Sequence, residues 1–369
     1  MLTNILFSNS KTPYRDIQHL AHLIEGNKIF KNYDLALFIL PTYYNFEVAK
    51  NFLNKFFGEK PFIAFYSTFV GSNNFFTTEG LVGLFLKGEK KPLTYSINVF
   101  DNLPSLENFL ESHPEAAHLI FIPYPFRRFA ENFNYFKGIT VKETPVSGLI
   151  TGGMDYNGIY PVIVNDSVVN DGSVAVLSFE EGKACLRSAI NFKKLGPPFS
   201  FTASKGYLME TVDDQPAVEF FRTILNKFGT DVLKADYLTG FPMLIKNQEE
   251  EVEFNKLIRF PKEEEEGNIA FWANLPTRGF FHFTYLLSDR SKIKNILKKH
   301  CDLYPVADLG LFFLCVGKSI FLNLEEELKF LRKRLQFPFL VVGSYGELCT
   351  YRNRLWILNG STTFVLIKT

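Results

Sequence analysis

The sequence predicts an α/β (α+β) fold of two domains, built from repeated strand-helix-strand units whose mixed sheets are covered by helices. Three observations predict it: apolar runs of strand length, stretches of helical spacing after them, and the recurrence of this order along the chain. Of the 369 residues, 46% are hydrophobic and 16% are aromatic, which provides apolar area for sizeable cores. The length suits two domains of ordinary size.

The first unit lies near the N-terminus. Residues 34–40, in which Asp34 is followed by a continuous apolar run, predict a buried strand, and residues 46–57 carry apolar side chains at helical spacing. Residues 61–68 predict a second strand that runs into a small-residue turn at Gly71-Ser72, and residues 81–86 predict a third strand. Ser67-Thr68, at the end of the second strand, is the position equivalent to the turns of the other copies.

The same order returns near the C-terminus. Residues 308–315 match the first strand, and Asn323 is a candidate N-cap for a helix with acidic residues in its first turn. Residues 338–347 then repeat the second strand and its turn, and residues 363–367 close the copy.

A weaker copy lies between these two. It comprises strands at residues 118–122, 146–151 and 173–179, a helix around residues 127–133, and a turn at Gly152-Gly153. Because glycine-bearing strand ends in such folds tend to face one crevice, we expect the three turns to converge in space.

The predicted domains are residues 1–205 and 206–369. The segment from Leu195 to Pro198 contains Gly and two prolines, and a new helix is predicted beyond Asp214, ending before Gly229. We therefore place the boundary near residue 205.

Charge, hydrophobic pattern and cysteine content argue against several classes of function. A formal net charge of +1 does not indicate general electrostatic binding of nucleic acid. We predict no membrane insertion, because no long uncharged apolar stretch occurs. The N-terminus does not resemble a signal peptide, so a cytoplasmic location is expected. The four cysteines show no metal-site spacing. We predict that they are reduced and that no metal is bound.

These segments resemble the FIST sensory domain, which has an N-terminal and a C-terminal part. The stretches with the most specific similarity are residues 196–206, 209–217, 308–321 and 339–347. Lys318 stands where the family more often has Arg, and Tyr66 stands where a small residue is usual.

The resemblance implies cytoplasmic sensing of small molecules, amino acids among them, as part of signal transduction. Family members often carry an attached kinase, chemotaxis or cyclic-nucleotide output domain. Since the predicted strands and helices leave no residues for such a domain, we expect a separate signalling protein, such as a kinase or cyclic-nucleotide enzyme, as the partner.

The turn formed by Gly343, Ser344, Tyr345, Gly346 and Glu347 is the leading candidate for a ligand contact. It combines backbone N–H groups, a hydroxyl, an aromatic face and a carboxylate, which suits a ligand with an ammonium group. The alternative is that the glycines permit a tight turn and that Glu347 pairs locally.

Further candidates surround this turn. Lys318 offers a point charge for a ligand carboxylate, and Cys315 is a thiol whose pKa a nearby ammonium would lower. The other contacts that the sequence proposes are the backbone or hydroxyl groups of Gly152, Gly153, Ser67, Thr68 and Thr202.

Two alternatives to a small-molecule sensor remain open. His282, between aromatic residues, is a candidate axial ligand in a haem-binding nitric oxide sensor, as the family resemblance suggests. Cys315 or Glu347 is the candidate catalytic group if the protein is an enzyme. Since the known hydrolase, nucleotide and metalloprotease motifs do not occur, the sequence favours a non-enzymatic protein without a bound cofactor.

Overall fold

The computed structural model describes residues 1–124, 139–141, 144–152, 158–247, 257–272, 274–287, 290–304, 306–351 and 353–369. Its strands are β1 (Leu2–Ser8), β2 (Leu35–Pro41), β3 (Phe62–Ser67), β4 (Val70–Ser72), β5 (Phe76–Thr77), β6 (Leu81–Lys87), β7 (Tyr95–Phe100), β8 (Ala117–Ile122), β9 (Ile139–Thr140), β10 (Val146–Ile150), β11 (Val162–Val164), β12 (Ser167–Val169), β13 (Val174–Phe179), β14 (Lys183–Ala189), β15 (Phe192–Ser204), β16 (Leu208–Val212), β17 (Gln215–Pro216), β18 (Met243–Asn247), β19 (Leu257–Arg259), β20 (Pro261–Glu265), β21 (Asn268–Phe271), β22 (Arg278–Leu286), β23 (Leu309–Cys315), β24 (Phe339–Ser344), β25 (Glu347–Tyr351), β26 (Arg354–Leu358) and β27 (Thr362–Lys368). The helices are α1 (Pro13–Glu25), α2 (Phe46–Phe57), α3 (Leu103–Ser112), α4 (Ala217–Asn226), α5 (Ala235–Leu238), α6 (Arg290–His300), α7 (Val316–Ser319) and α8 (Leu324–Arg334), with a 3-10 turn at Phe30–Asn32.

Three of the four sheets share one strand pattern. Sheet I has the order β1-β6-β2-β3-β11-β12, sheet II the order β7-β13-β8-β10-β25-β26-β9, and sheet III the order β14-β27-β23-β24-β4-β5. In each, a parallel pair (β2 with β3, β8 with β10, β23 with β24) is flanked on both sides by antiparallel strands. The three sheets are therefore three copies of one unit.

The copies exchange hairpins in a closed cycle. Unit 1 (β1, β2, β3, β6) contributes hairpin β4-β5 to sheet III, and unit 3 (β14, β23, β24, β27) contributes β25-β26 to sheet II. Unit 2 (β7, β8, β10, β13) contributes β11-β12 to sheet I and completes the cycle. Each sheet thus contains a hairpin from another unit.

The inner faces of the three sheets form one central core. Leu37 and Phe65 of sheet I, Phe121 of sheet II, and Phe313 of sheet III are all buried within it. The rings of Phe65 and Phe121 lie 5.1 Å apart between centroids and join sheets I and II. Strands buried on both faces explain why the sequence shows continuous apolar runs rather than alternation.

Helices cover the outer faces. Helices α1 and α2 pack on sheet I, α3 on sheet II, and α6 with α8 on sheet III. The Asn323 side chain caps α8 by accepting a 3.2 Å hydrogen bond from the Glu326 N–H, as the sequence predicts. The same helix has acidic residues in its first turn and basic residues in its last, and these charges interact favourably with the helix dipole.

A fourth sheet, the inserted sheet, lies within unit 3 between β14 and α6. Its order is β19-β18-β22-β15-β16-β21-β20, with β17 on β16. Helix α4 packs on one face through an aromatic cluster that includes Phe221 and Phe281. Ile258 and Phe260 of this region pack against Cys349 and Trp356 of the three-sheet body. The inserted sheet is therefore docked on the body by a buried apolar contact.

The predicted α/β class, the mixed sheets and the helical cover are confirmed. The strands and helices of the first and last copies form where the sequence places them, whereas the predicted helix at residues 127–133 lies outside the described residues. The turn predicted at Gly71-Ser72 is wrong, because these residues pair with β24 as part of strand β4. The division near residue 205 is not a boundary between sheets, because strands from both sides of it share sheets II and III. Among the described helices, none is long and apolar enough to cross a membrane.

The prediction that all four cysteines are reduced is wrong for one pair. Cys185 of β14 and Cys301 after α6 form a disulfide, with Cα atoms 5.9 Å apart and a sequence separation of 116. The spacing of the cysteines in the sequence does not predict the pair, because the two residues are distant in sequence and only the tertiary fold brings them together. Asp302 lies beside them, but sulfur atoms bonded to each other are not metal ligands. Cys315 and Cys349 are buried free thiols.

We expect reduction of this disulfide to lower the free energy of unfolding by up to about 5 kcal/mol, since the bond closes a long loop that contains the inserted sheet. Urea denaturation with and without dithiothreitol measures the effect. The double variant Cys185→Ala with Cys301→Ala is the control and should not respond to reductant. Equal stability of the reduced and oxidised wild type would contradict the expectation.

Candidate functional site

The three predicted turns meet at one end of the three-sheet body. Each turn is hydrogen-bonded to the next, which closes a ring that we call the turn ring. Its bonds run from Tyr345 N–H to the Ile150 carbonyl (3.1 Å), from Gly152 N–H to the Tyr66 carbonyl (3.4 Å), and from the Ser67 hydroxyl to the Gly343 carbonyl (3.0 Å). The predicted convergence is confirmed for these residues, while Gly153 lies outside the described part of the chain.

Two serines hold equivalent places in this ring. Ser67 lies opposite Pro41 in one parallel pair, and Ser344 lies opposite Cys315 in the other. The Ser344 hydroxyl donates to the carbonyl of Gly346, two residues further on. The Ser67 hydroxyl shares its one proton between the equivalent carbonyl, that of Phe69 (2.7 Å), and the Gly343 carbonyl (3.0 Å). Both side chains are buried. Their hydroxyl protons therefore stabilise the turns.

Beside the turn ring, a cleft opens between unit 3 and the inserted sheet. Its volume is about 130 Å³, enough for a small organic molecule. The residues that line it are Tyr124, Thr239, Phe260, Trp272, Cys315, Val316, Gly317, Ser319, Ile320, Tyr345 and Asn359. Small-molecule sites occur preferentially at such interfaces between structural parts.

Two of the predicted contacts, Cys315 and Tyr345, line this cleft. The others take different places. Gly343, Ser344, Gly346, Gly152, Ser67 and Thr68 belong to the turn ring or pack against it. Thr202 lies in the inserted sheet, where its hydroxyl forms a 2.7 Å hydrogen bond with the Thr211 hydroxyl.

Lys318 and Glu347 lie behind the cleft wall and are fully buried. The Lys318 ammonium donates to the Thr362 hydroxyl over 3.0 Å. One Glu347 oxygen accepts from both the hydroxyl (2.6 Å) and the N–H (3.2 Å) of Ser361. Neither side chain belongs to the cleft lining. A ligand on the lining surface would therefore contact neither group.

The pair of Lys318 and Glu347 is specific to unit 3 when unit 3 is compared with unit 1. Aligning the paired strand ends, Pro41 with Cys315 and Ser67 with Ser344, places Tyr44 at the position of Lys318 and Val70 at the position of Glu347. Tyr44 is buried there and donates a hydrogen bond to the carboxylate of Asp16. Unit 3 thus differs from its copy at both positions.

Burial raises the pKa of Glu347 to about 8, against hydrogen bonds from Ser361 and the positive charge of Lys318, which both lower it. The second carboxyl oxygen, Oε1, has no hydrogen-bond partner among the described residues. Glu347 is therefore mostly protonated at neutral pH.

Cys315 lines the cleft, but its thiol is not activated. Burial raises its pKa well above the ordinary value, and the Glu347 carboxylate raises it further. Lys318 acts in the opposite direction without reversing this. Since the thiolate is the nucleophile, this geometry does not favour covalent chemistry at Cys315.

His282 lies on β22 of the inserted sheet, outside the cleft lining. Its Nδ1 is 3.2 Å from the Gly196 carbonyl oxygen. Within the described residues, the cleft lining therefore contains no imidazole.

Sequence reasoning missed most of the cleft wall. Three lining residues come from the region of the inserted sheet: Phe260 and Trp272 adjoin its strands, and Thr239 directly follows helix α5. No local sequence pattern distinguishes these residues from core residues. Asn359 precedes Gly360, which has a positive φ of 64°. An Asn-Gly pair between two strands is a turn signal, but it does not indicate a binding role.

Comparisons with known proteins add no identification, since no protein-family model and no curated protein sequence matches the chain. Membership of the FIST family therefore stays a hypothesis that rests on the segments named above.

Proposed function

We propose that this protein binds a small organic molecule in the cleft between the turn ring and the inserted sheet. The observation that carries the proposal is the composition and position of the cleft. It lies where two structural parts meet, and four aromatic side chains with a few fixed polar groups line it, which is typical of small-molecule sites.

The proposal includes a sensory role. Both the three-sheet body and the inserted sheet contribute to the cleft, so a ligand that contacts both would favour one relative position of the two. A separate signalling protein in the cytoplasm, such as a kinase or cyclic-nucleotide enzyme, would respond to that position. The family resemblance supports this part of the proposal.

An amino-acid ligand has less support than the sequence suggested. Binding of its ammonium and carboxylate groups by Glu347 and Lys318 requires both charges at the cleft surface, and both side chains are buried behind it. The backbone groups of the turn ring are also largely engaged with one another.

The proposal is tested by thermal unfolding with a panel of defined amino acids, nucleobases, nicotinamides, organic acids and sugars. A compound present at about 100 times its Kd should stabilise the fold by about 2.7 kcal/mol and raise the Tm by several degrees. We expect at least one class in the panel to do so.

Two variants test whether the ligand-induced rise in Tm arises from binding in the cleft. Ile320 lines the cleft and is 58% exposed, whereas Val306, at the opposite end of β23, is 59% exposed and outside the lining. Ile320→Trp should fill the cleft mouth and abolish the shift, and Val306→Trp should keep it. A shift that survives in Ile320→Trp would place the ligand elsewhere and contradict the proposal.

A further inference from the structure

The described part of the cleft lining carries no charged side chain. Among the described residues that form it, none is Asp, Glu, Lys, Arg or His. A charged ligand entering the cleft would lose hydration without gaining an opposite charge on the lining surface, which is unfavourable.

The ionisable groups behind the lining are held by the fold in other contacts. The Arg259 guanidinium donates to the Asn274 carbonyl (2.8 Å), the Ile258 carbonyl (2.9 Å) and the Asn359 side-chain oxygen (3.2 Å). Arg259 is fully buried, as is Lys318. Turning either group toward a ligand would break buried hydrogen bonds, which costs about 1–3 kcal/mol for each group left unsatisfied.

Flat rings supply much of the cleft wall. Tyr124 and Tyr345 lie 5.4 Å apart between ring centroids on the body side, and Phe260 and Trp272 stand on the side of the inserted sheet. A Cβ atom at Gly317 would lie 3.1 Å from the Phe260 ring, so glycine lets the chain approach this ring closely. Aromatic faces and edges favour stacked or edge-on contact with another ring.

Two polar groups of the cleft, those of Asn359 and Ser319, are fixed in direction. The Asn359 amide accepts from Arg259 over 3.2 Å and donates to the Tyr345 carbonyl over 3.3 Å. Ser319 donates to the Val316 carbonyl over 2.6 Å. A remaining lone pair on the Asn359 oxygen or the Ser319 hydroxyl suits a ligand N–H or O–H.

We infer that the cleft selects an uncharged, planar aromatic or heteroaromatic molecule of one ring or two fused rings, an inference that rests on the proposed binding function. The size agrees, because an apolar cavity of about 150 Å³ binds benzene and this cleft has about 130 Å³ and is partly open. Neutral ring amides and fused nitrogen heterocycles have this chemistry.

The test compares probes that share a ring and differ in charge. Nicotinamide and nicotinate form one pair, and benzamide and benzoate form another. In calorimetric titrations of the full chain, the neutral member of each pair should bind about tenfold tighter or more, which corresponds to about 1.4 kcal/mol. L-Phenylalanine and tetramethylammonium represent zwitterionic and cationic ligands.

Variants connect this preference to the cleft. Trp272→Leu should weaken nicotinamide binding about tenfold, and Trp272→Phe, which keeps an aromatic face, should recover much of the loss. Circular dichroism shows whether each variant is folded. Val306→Trp should leave the affinity unchanged.

The contrary outcomes are distinct. If nicotinate, L-phenylalanine or tetramethylammonium binds tighter than the neutral probes, and Ile320→Trp abolishes that binding, the ligand class is wrong while the proposed function stands. If neutral probes bind equally well to Ile320→Trp, the cleft is not their site and the inference fails. If no neutral probe binds, the inference also fails, and the metabolite panel decides the proposed function separately.

Discussion

Replacing Gly152 with alanine is expected to destabilise the protein by about 2–3 kcal/mol and to displace Tyr345 from the cleft wall. A Cβ atom at position 152 would lie 2.0 Å from Cδ2 and 2.3 Å from Cε2 of the Tyr345 ring. These atoms belong to the body of the ring and not to a flexible end, so the ring has to move. Ligand binding should weaken together with stability, because Tyr345 lines the cleft.

A double-mutant cycle separates this clash from a general effect of the substitution. In a Tyr345→Ala background the ring is absent, so Gly152→Ala should cost much less, with a coupling energy of about 1–3 kcal/mol between the two sites. Gly26→Ala is the matched control. A Cβ atom there meets nothing closer than 3.5 Å in a helical backbone, so that variant should lose no stability. Additive effects of Gly152→Ala and Tyr345→Ala would contradict contact between the two turns.

The variant Glu347→Gln is expected to change how stability depends on pH. The pKa of Glu347 is about 8 in the folded protein and near 4.5 without the protein environment. Between these values the folded protein keeps a proton that the unfolded chain releases. The contribution of this group to stability is therefore full below about pH 4.5 and falls by about 1.4 kcal/mol per pH unit until pH 8.

Glutamine keeps the shape of the protonated side chain without the titration. Relative to the wild type, Glu347→Gln should therefore gain roughly 3 kcal/mol in unfolding free energy between pH 5.5 and pH 8. Urea denaturation at several pH values measures this difference, in which other titrating groups cancel. Glu115→Gln, at an exposed position, controls for loss of a carboxylate. A pH-independent difference between Glu347→Gln and the wild type would contradict the burial of this carboxyl.

Much of the repeated architecture could be predicted from the sequence because local residue patterns determine it. Strands buried on both faces appear as continuous apolar runs, as at residues 35–40 and 309–314, and Asn323 marks the start of its helix. The convergence of Ser67, Gly152 and Gly343 followed from treating their turns as equivalent.

The exchange of hairpins could not be predicted in the same way. The pairing of Ser72 with Leu340 and of Leu149 with Glu347 joins segments that are distant in sequence, and no local pattern specifies such partners. The disulfide was missed for the same reason.

The candidate site was only partly predictable. Cys315 and Tyr345 stand at strand ends that the repeat pattern locates, whereas Phe260 and Trp272 reach the cleft only because the inserted sheet docks on the body. The charges of Lys318 and Glu347 suggested ligand contacts, but the sequence does not show that burial removes both from the cleft surface.

The central claim, that the cleft is the ligand site, is tested most directly through the two tryptophans. Trp272 lines the cleft, and Trp356 is buried in the contact between the body and the inserted sheet, outside the lining. With 5-fluorotryptophan incorporated, fluorine NMR should give two resonances, which the variant Trp272→Phe assigns. A compound that raises the Tm should shift the Trp272 resonance and leave that of Trp356 nearly unchanged. A stabilising compound that leaves Trp272 unaffected, or that shifts only Trp356, would contradict the account.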